Sequence, residues 1–258
     1  MPAIAVLVPS PAAVALRRSL PRSGSALVRV RTPEALWRLG QRRLLDAVVL
    51  SPLGSGGLAL MRELRARWPV LPIVAFAPFR PDDGEAILAC REAGVSSLLV
   101  EGIDDAVAGD LLARVTLTAR RRAEMIDAPR VLRLTEPLQR LAWDVVVREV
   151  EQPLRTSELA RRLRVSREHL SRQVGAGGAP NLKRMIDLAR TAAAAQFLSN
   201  PGCTAAMAAH VLKFASPGHF SATVKRIAGV GPGALAELGP RGVLENFVRG
   251  RMRSRAEA

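Results

Sequence analysis

A chain of 258 residues with 48% hydrophobic content can bury two ordinary cores and is too apolar and too regular to be disordered. No run approaches the roughly 18–20 apolar residues of a membrane span, and the apolar start lacks a basic leader and is interrupted by proline, so neither anchoring nor secretion is expected. The formal net charge of +15 is uneven: residues 1–128 hold 17 Arg and no Lys against 13 acids, a balance of +4, whereas residues 129–258 hold 21 basic residues against 10 acids, a balance of +11. That excess points to a polyanionic partner for the second half; a general preference for Arg explains the choice of base but not the asymmetry. Cys90 and Cys203 fit no metal or disulfide spacing and are expected reduced and buried in a cytoplasmic protein. No metal or cofactor is expected.

The first half alternates β-rich runs with helical spacing. The runs are 3-AIAVLV-8, 26-ALVRV-30, 46-DAVVL-50, 72-PIVAFA-77 and 97-SLLV-100; between them lie segments with helical spacing, among them 33–43, 57–68 and 82–94. A final helix is expected from about Asp104 to Met125, with Val107, Leu111 and Val115 on one face. Near-continuous apolar strands alternating with helices imply a five-stranded parallel sheet covered on both faces, an α/β flavodoxin-like domain of strand order 2-1-3-4-5.

The segments 46-DAVVLSP-52, 72-PIVAFAP-78 and 93-AGVSSLLVEG-102 in that framework resemble the receiver domain of bacterial response regulators, over residues 1–125. The resemblance implies an acidic pair after the first strand, where this chain has Pro9 and Ser10. It implies a phosphoacceptor Asp after the third, where it has Ser51, a Ser or Thr after the fourth, where it has Ala77, and a Lys after the fifth, where it has Glu101. Without the carboxylates no hard-oxygen cage remains for a divalent cation, and without cation and Lys an incoming phosphoryl group is not neutralised. Ser51 lacks a base, since no His occurs before residue 169, and 54-GSGG-57 matches neither a nucleophile elbow nor a phosphate loop. An enzyme using Ser51 or Ser55 is therefore not expected, and the domain reads as a pseudo-receiver.

The second half repeats itself. The stretches 157-SELARRLRVSREHLSRQV-174 and 206-AMAAHVLKFASPGHFSATVKR-226 each place Ala (160, 209) four residues before a basic residue (Arg164, Lys213). Each follows with an apolar turn residue (Val165, Phe214), a Ser at a helix start (Ser166, Ser216) and apolar anchors four apart (Leu170 and Val174; Phe220 and Val224). This is the pattern of a helix–turn–helix, in which the small Ala allows close crossing and the Ser caps the second helix. The amphipathic stretch 181-NLKRMIDLARTAAAAQFL-198 joins the copies. Through 158-ELARRLRVSREHLSR-172, Arg190 and 225-KRIAGVGP-232, residues 134–236 resemble the DNA-binding domain of AraC/XylS transcription regulators, an all-α double helix–turn–helix; residues 126–133 then read as a linker and 237–258 as a basic tail with a helical pattern. The resemblance implies that one chain reads two successive major-groove turns, about 34 Å apart.

Position by position, the resemblance puts base-facing residues at Glu168, Ser171 and Arg172 in the first unit and at Pro217, Gly218, Ser221 and Ala222 in the second. Arg172 suits guanine and Glu168 suits cytosine. Lys225 and Arg226 suit phosphates, so the second unit docks more than it reads. Arg164 and Lys213 fall at turn positions that usually hold Gly, beside a helix C-terminus that favours cations. Ser166, Arg167, His169, Ser216 and His219 complete the expected DNA-facing set; for the two histidines packing is the alternative. Trp37, Trp68 and Trp143 are expected as anchors, and Arg249, Arg251, Arg253 and Arg255 either add nonspecific DNA affinity or form a solvated end. The expected function is a sequence-specific transcription regulator on double-stranded DNA. Its unphosphorylated N-terminal domain would dimerise it, dock RNA polymerase or another regulator, or sense a signal. The alternative is an adaptor with only nonspecific DNA binding.

Overall fold

The computed structural model describes residues 3–19, 26–54, 56–151 and 154–256, the side chains of 251–256 excepted. Ser55, the side chains of Arg251, Arg253 and Arg255, and residues 20–25 lie outside the described residues. The chain forms two compact units, Met1–Arg120 with Asn200–Gly202, and Arg121–Ser199 with Cys203–Ala258.

In the first unit, strands β1 (Ala3–Leu7), β2 (Ala26–Arg29), β3 (Leu45–Leu50), β4 (Ile73–Ala77) and β5 (Ser97–Val100) form one parallel sheet of order β2-β1-β3-β4-β5. Ile4 is opposite Ala47, and Val48 opposite Ile73. All residues of β3 and β4 are buried, as a sheet covered on both faces requires. The intervening helices are α1 (Ser10–Ser19), α2 (Pro33–Arg42), α3 (Gly57–Arg67) and α4 (Gly84–Glu92). In helix α1, Pro11 sits in the first turn, where a missing N–H breaks no intrahelical bond. Under α1, one face of the sheet buries Ile4, Val6, Leu16, Val49, Phe76, Leu99 and Leu112.

The single helix expected over 104–125 is two, α5 (Ala108–Val115) and α6 (Leu117–Glu124). Thr116 is extended (φ −62°, ψ 156°), and its Oγ1 accepts the Ala119 N–H at 3.1 Å. Asp46, fully buried at the start of β3, accepts the Thr118 N–H at 2.7 Å. These two side chains cap α6 and thereby end α5. The buried face of α5 is also displaced by one residue: Ala108 and Leu112 are fully buried, while Val107 is 48% exposed.

The second unit is helical. Residues 126–133, read as a linker, carry α7 (Ala128–Val131), with Ala128, Leu132 and the adjoining Met125 buried. Then follow α8 (Pro137–Arg148), α9 (Thr156–Arg162), α10 (Arg167–Val174), α11 (Leu182–Leu198), α12 (Ala205–Val211), α13 (Pro217–Ala228) and α14 (Pro232–Ala256). Helix α11 is buried along most of its length, and Ala192–Ala195 let its neighbours approach closely. Helix α14 breaks at Gly239 (φ 59°, ψ 178°) and packs Leu235, Val243, Leu244 and Phe247 inward. The guanidinium of Arg184 on α11 lies 5.0 Å from the Phe247 ring centre. The expected tail is therefore part of the packed unit, and Arg249 is exposed beside Glu245. Among the described residues no helix is long and apolar enough to cross a membrane.

Candidate nucleic-acid interface

Each half of the repeat closes its turn in the same way. In the first, the Arg164 N–H donates to the Arg161 carbonyl (3.2 Å) and the Val165 N–H to the Ala160 carbonyl (3.0 Å). In the second, Lys213 donates to His210 (3.1 Å) and Phe214 to Ala209 (2.9 Å). These are paired five-to-two and six-to-one bonds, a Schellman closure, which needs a left-handed residue at the turn. Arg164 and Lys213 both have φ 56°, so the conformation expected at those Gly-favouring positions is present without Gly. The two small alanines therefore have a second duty, since their carbonyls accept the closing bond. Arg133 (φ 59°) makes a third such closure after α7, through Arg130 (3.1 Å) and Pro129 (2.8 Å), which the sequence reading missed.

The next step is also shared. Ser166 Oγ accepts the His169 N–H and Ser216 Oγ accepts the His219 N–H, each at 3.1 Å, capping α10 and α13. On α10, Leu170 and Val174 are fully buried, while Arg167, Glu168, His169, Ser171 and Arg172 are exposed. On α13, Phe220 and Val224 are fully buried, while Pro217, Gly218, His219, Ser221, Ala222, Lys225 and Arg226 are exposed. The side chains of Arg164, Arg167, Arg172, Lys213 and Lys225 make no hydrogen bond or ion pair among the described residues.

Besides the capping Ser166 and Ser216, three members of the expected set are engaged within the fold. Arg226 donates to Asp187 on α11 at 2.8 Å, which compromises it as a phosphate contact. The Ser221 hydroxyl donates to the Pro217 carbonyl of its own helix at 3.1 Å. The ring of His219 packs edge-on against Phe214, centres 5.9 Å apart.

Two buried polar side chains hold the two helix–turn–helix units together. Gln139 on α8 is fully buried; its Nε2 donates to the carbonyls of Gln173 (3.0 Å), Ala176 (3.2 Å) and Val174 (3.4 Å) at the end of α10. Its Oε1 accepts the Glu136 N–H at 3.1 Å, so one amide closes the start of α8 and the end of α10. Arg190 on α11 does the same for the second helix–turn–helix unit. Its Nε donates to the Leu212 carbonyl at 3.1 Å, and its guanidinium stacks 3.8 Å from the Phe214 ring centre. Burial pulls the Arg190 guanidinium below its usual pKa, and Asp187 opposes that shift. Gln139 carried no sequence signal beyond its place at the third position of a helix starting with Pro.

Two Ser-capped, Schellman-closed helix pairs joined by a buried helix decide the assignment. Residues 159–237 match the family model described as a helix-turn-helix domain. They form an AraC-type helix-turn-helix domain. Among solved structures the chain is similar to a response regulator from Thermotoga maritima, at 15% identity over 45% of this chain and 97% of that one, with a TM-score of 0.40. It is also similar to full-length FixJ from B. japonicum, at 16% identity over 71% of this chain and 95% of that one, with a TM-score of 0.37. No curated protein matches the sequence. The AraC-type domain presents its cations on the exposed faces of α10 and α13, with Arg172 on the first and Lys225 on the second.

In the first unit Pro9 and Ser10 follow β1, where the resemblance implies an acidic pair. Ser10 accepts a hydrogen bond from Arg29 of β2 at 2.5 Å, so a cation approaches the place where the resemblance implies metal-binding carboxylates. Ser51 is half-buried and its hydroxyl donates to the Leu53 carbonyl at 3.5 Å. Ala77 is buried, and the Glu101 N–H donates to its carbonyl at 2.9 Å. Gly54 (φ 93°) and Gly56 (φ 90°) turn the chain after β3, and a Cβ on Gly57 would lie 2.3 Å from the Ser51 carbonyl oxygen. The glycines of 54-GSGG-57 are thus required by the turn rather than by a phosphate. Among the described residues no group of three or more His, Cys, Asp or Glu side chains is placed to hold a metal ion.

Proposed function

We propose that this chain is a sequence-specific, DNA-binding transcription regulator of the cytoplasm, and that its receiver-like unit works without phosphorylation. The observation that carries the DNA reading is the matched pair of exposed helix faces, α10 and α13, each built from the same Schellman turn and Ser cap. A helix with its N-terminal turn exposed and its anchors buried is the element that enters a major groove. The second half's excess of basic residues supplies the counter-charge to phosphate. The two heads divide the work: α10 reads bases through Arg172 and Glu168, and α13 docks, with Lys225 on phosphate.

The reading without phosphorylation is supported by Pro9, Ser10, Ser51, Ala77 and Glu101 and by Arg29 reaching Ser10. A contact role for the first unit is supported by large apolar side chains left exposed: Leu88 at 61% and Ile87 at 38% on α4, and Ile103 at 77% and Val107 at 48% before α5. A second copy of the chain, RNA polymerase or another regulator would cover them.

Selection of bound duplexes from a randomised pool tests the central claim: an enriched motif supports the regulator, and its absence favours the adaptor. Incubation with Mg²⁺ and a small phosphodonor tests the second claim. The mass should stay unchanged, and a stoichiometric adduct on the first unit would overturn it.

A further inference from the structure

In a doubly wound sheet of order 2-1-3-4-5 the helices change face between strands 1 and 3, which leaves a crevice outside their carboxyl ends. Here that crevice is a cavity of about 290 Å³, lined by Leu7 and Pro9 after β1, Pro33 at the start of α2, Leu50 and Ser51 at the end of β3, and Leu53, Gly56, Gly57 and Leu60 beyond it. The volume is at the lower end for small-molecule sites, of order 300–1,000 Å³.

Its chemistry is set by which groups are present. Four leucines supply the walls, and among the described residues no lining side chain is ionisable. Pro9 and Pro33 have no N–H, so two backbone positions at the rim offer no donor. Among the described lining residues the polar side chain is Ser51, half-buried, whose hydroxyl bond to Leu53 is at the outer limit of hydrogen-bond length. A hydroxyl held that weakly is available to a ligand at little cost. Gly57 lies against the Ser51 carbonyl, where a Cβ would approach to 2.3 Å, so a glycine there lets the start of α3 close over the end of β3.

We infer that this cavity binds a small, uncharged, mostly apolar molecule that places one hydroxyl or carbonyl against Ser51. Where the receiver resemblance implies a charged phosphoryl group, this chain takes an apolar effector. A phosphate, a metal or a carboxylate would lose hydration here without a compensating charge among the lining residues. The inference concerns the first unit and stands whether or not the second binds DNA.

The test uses the full chain and three probes of one shape, naphthalene, 2-naphthol and 2-naphthoate, followed by ligand-observed NMR titration. 2-Naphthol should bind most tightly, naphthalene about three- to tenfold more weakly, and 2-naphthoate at least tenfold more weakly than 2-naphthol. Ser51→Ala should remove the preference for naphthol over naphthalene. Ser51→Phe should fill the cavity and abolish binding of all three; Leu53→Trp, at a half-buried position, blocks it independently if Ser51→Phe does not fold. Tighter binding of the carboxylate would make this an anion site and overturn the inference. So would absence of binding by both naphthalene and naphthol, or binding that survives a folded blocking variant.

Discussion

Arg172 and Ser221 both stand exposed on the second helix of a helix–turn–helix, but their side chains differ in what they have left to give. The Arg172 side chain makes no bond within the described residues, whereas the Ser221 hydroxyl already donates to Pro217. A bidentate Arg–guanine contact discriminates by roughly 1–3 kcal/mol. Arg172→Ala should therefore cut specific binding by about ten- to a hundredfold and relax one position of the selected site. Ser221→Ala should cost well under ~1 kcal/mol, the scale of one ordinary hydrogen bond. Parallel titrations on selected and random duplexes read both; equal loss of discrimination would mean that the recognition faces are misplaced. The left-handed turn residues give a contrasting case. Arg164→Gly and Lys213→Gly each relieve a conformation costing an L-residue about 1 kcal/mol and remove a cation at a helix C-terminus. Melting temperatures should hold or rise slightly, while affinity falls alike on all sequences. A sharp fall in melting temperature would show that the cation–carbonyl attraction outweighs the backbone strain.

At the scale of elements, each helix–turn–helix unit hangs on one buried polar side chain from a neighbouring helix. Gln139 serves three carbonyls at the end of α10 and the first N–H of α8 at once. Gln139→Leu keeps the volume but leaves those groups without a partner, at about 1–3 kcal/mol for a buried unsatisfied group. It should lower chemical stability by that amount and weaken discrimination by the first head, although residue 139 is not on the recognition face. Arg190→Met should act on the second head, leaving the Leu212 carbonyl unpaired and Phe214 unstacked. Its cost should be the smaller, because burial already disfavours the guanidinium charge. Denaturant titrations of the two variants give the ranking, and the reverse order would contradict it.

At the scale of the whole chain, the boundary between units decides which fragment folds. Arg121 is 1% exposed; it donates to Gln196 Oε1 on α11 at 2.9 Å and to the Val147 carbonyl on α8 at 3.3 Å. Met125, Ala128 and Leu132 are buried in the same unit. A fragment of residues 117–258, which keeps α6 whole, should fold and bind duplex DNA alone. A fragment of residues 134–258 loses two large apolar anchors at roughly 1.5–3 kcal/mol each, as well as the Arg121 bonds, and should melt lower or not fold. Binding by the folded fragment should weaken steeply with salt, because lysine and arginine contacts release counterions, and Lys225→Ala should flatten that slope by about one unit. Equal melting of the two fragments, or binding insensitive to salt, would contradict the placement of the boundary or the electrostatic basis of binding.

The sequence by itself determined the five strands and their order of use, because continuous apolar runs such as 46-DAVVL-50 suit only a sheet buried on both faces. It also determined the repeat, because Ala, a basic turn residue, Ser and anchors four apart are all local requirements of one motif, and their burial and turn geometry follow the pattern at Leu170, Val174, Phe220, Val224, Arg164 and Lys213. What it left open depends on partners distant along the chain. Thr116 ends a helix that periodicity would continue, and it does so with Asp46, some 70 residues earlier. Arg226 looked like a phosphate contact until Asp187 of another helix took its charge. Residues 126–133 and 237–258 looked like linker and tail because short apolar patterns say nothing of what covers them; the tertiary structure packs Leu132 and Phe247 into the core. Local pattern reports what a residue needs, whereas which neighbour satisfies that need is settled only when the chain brings the two together.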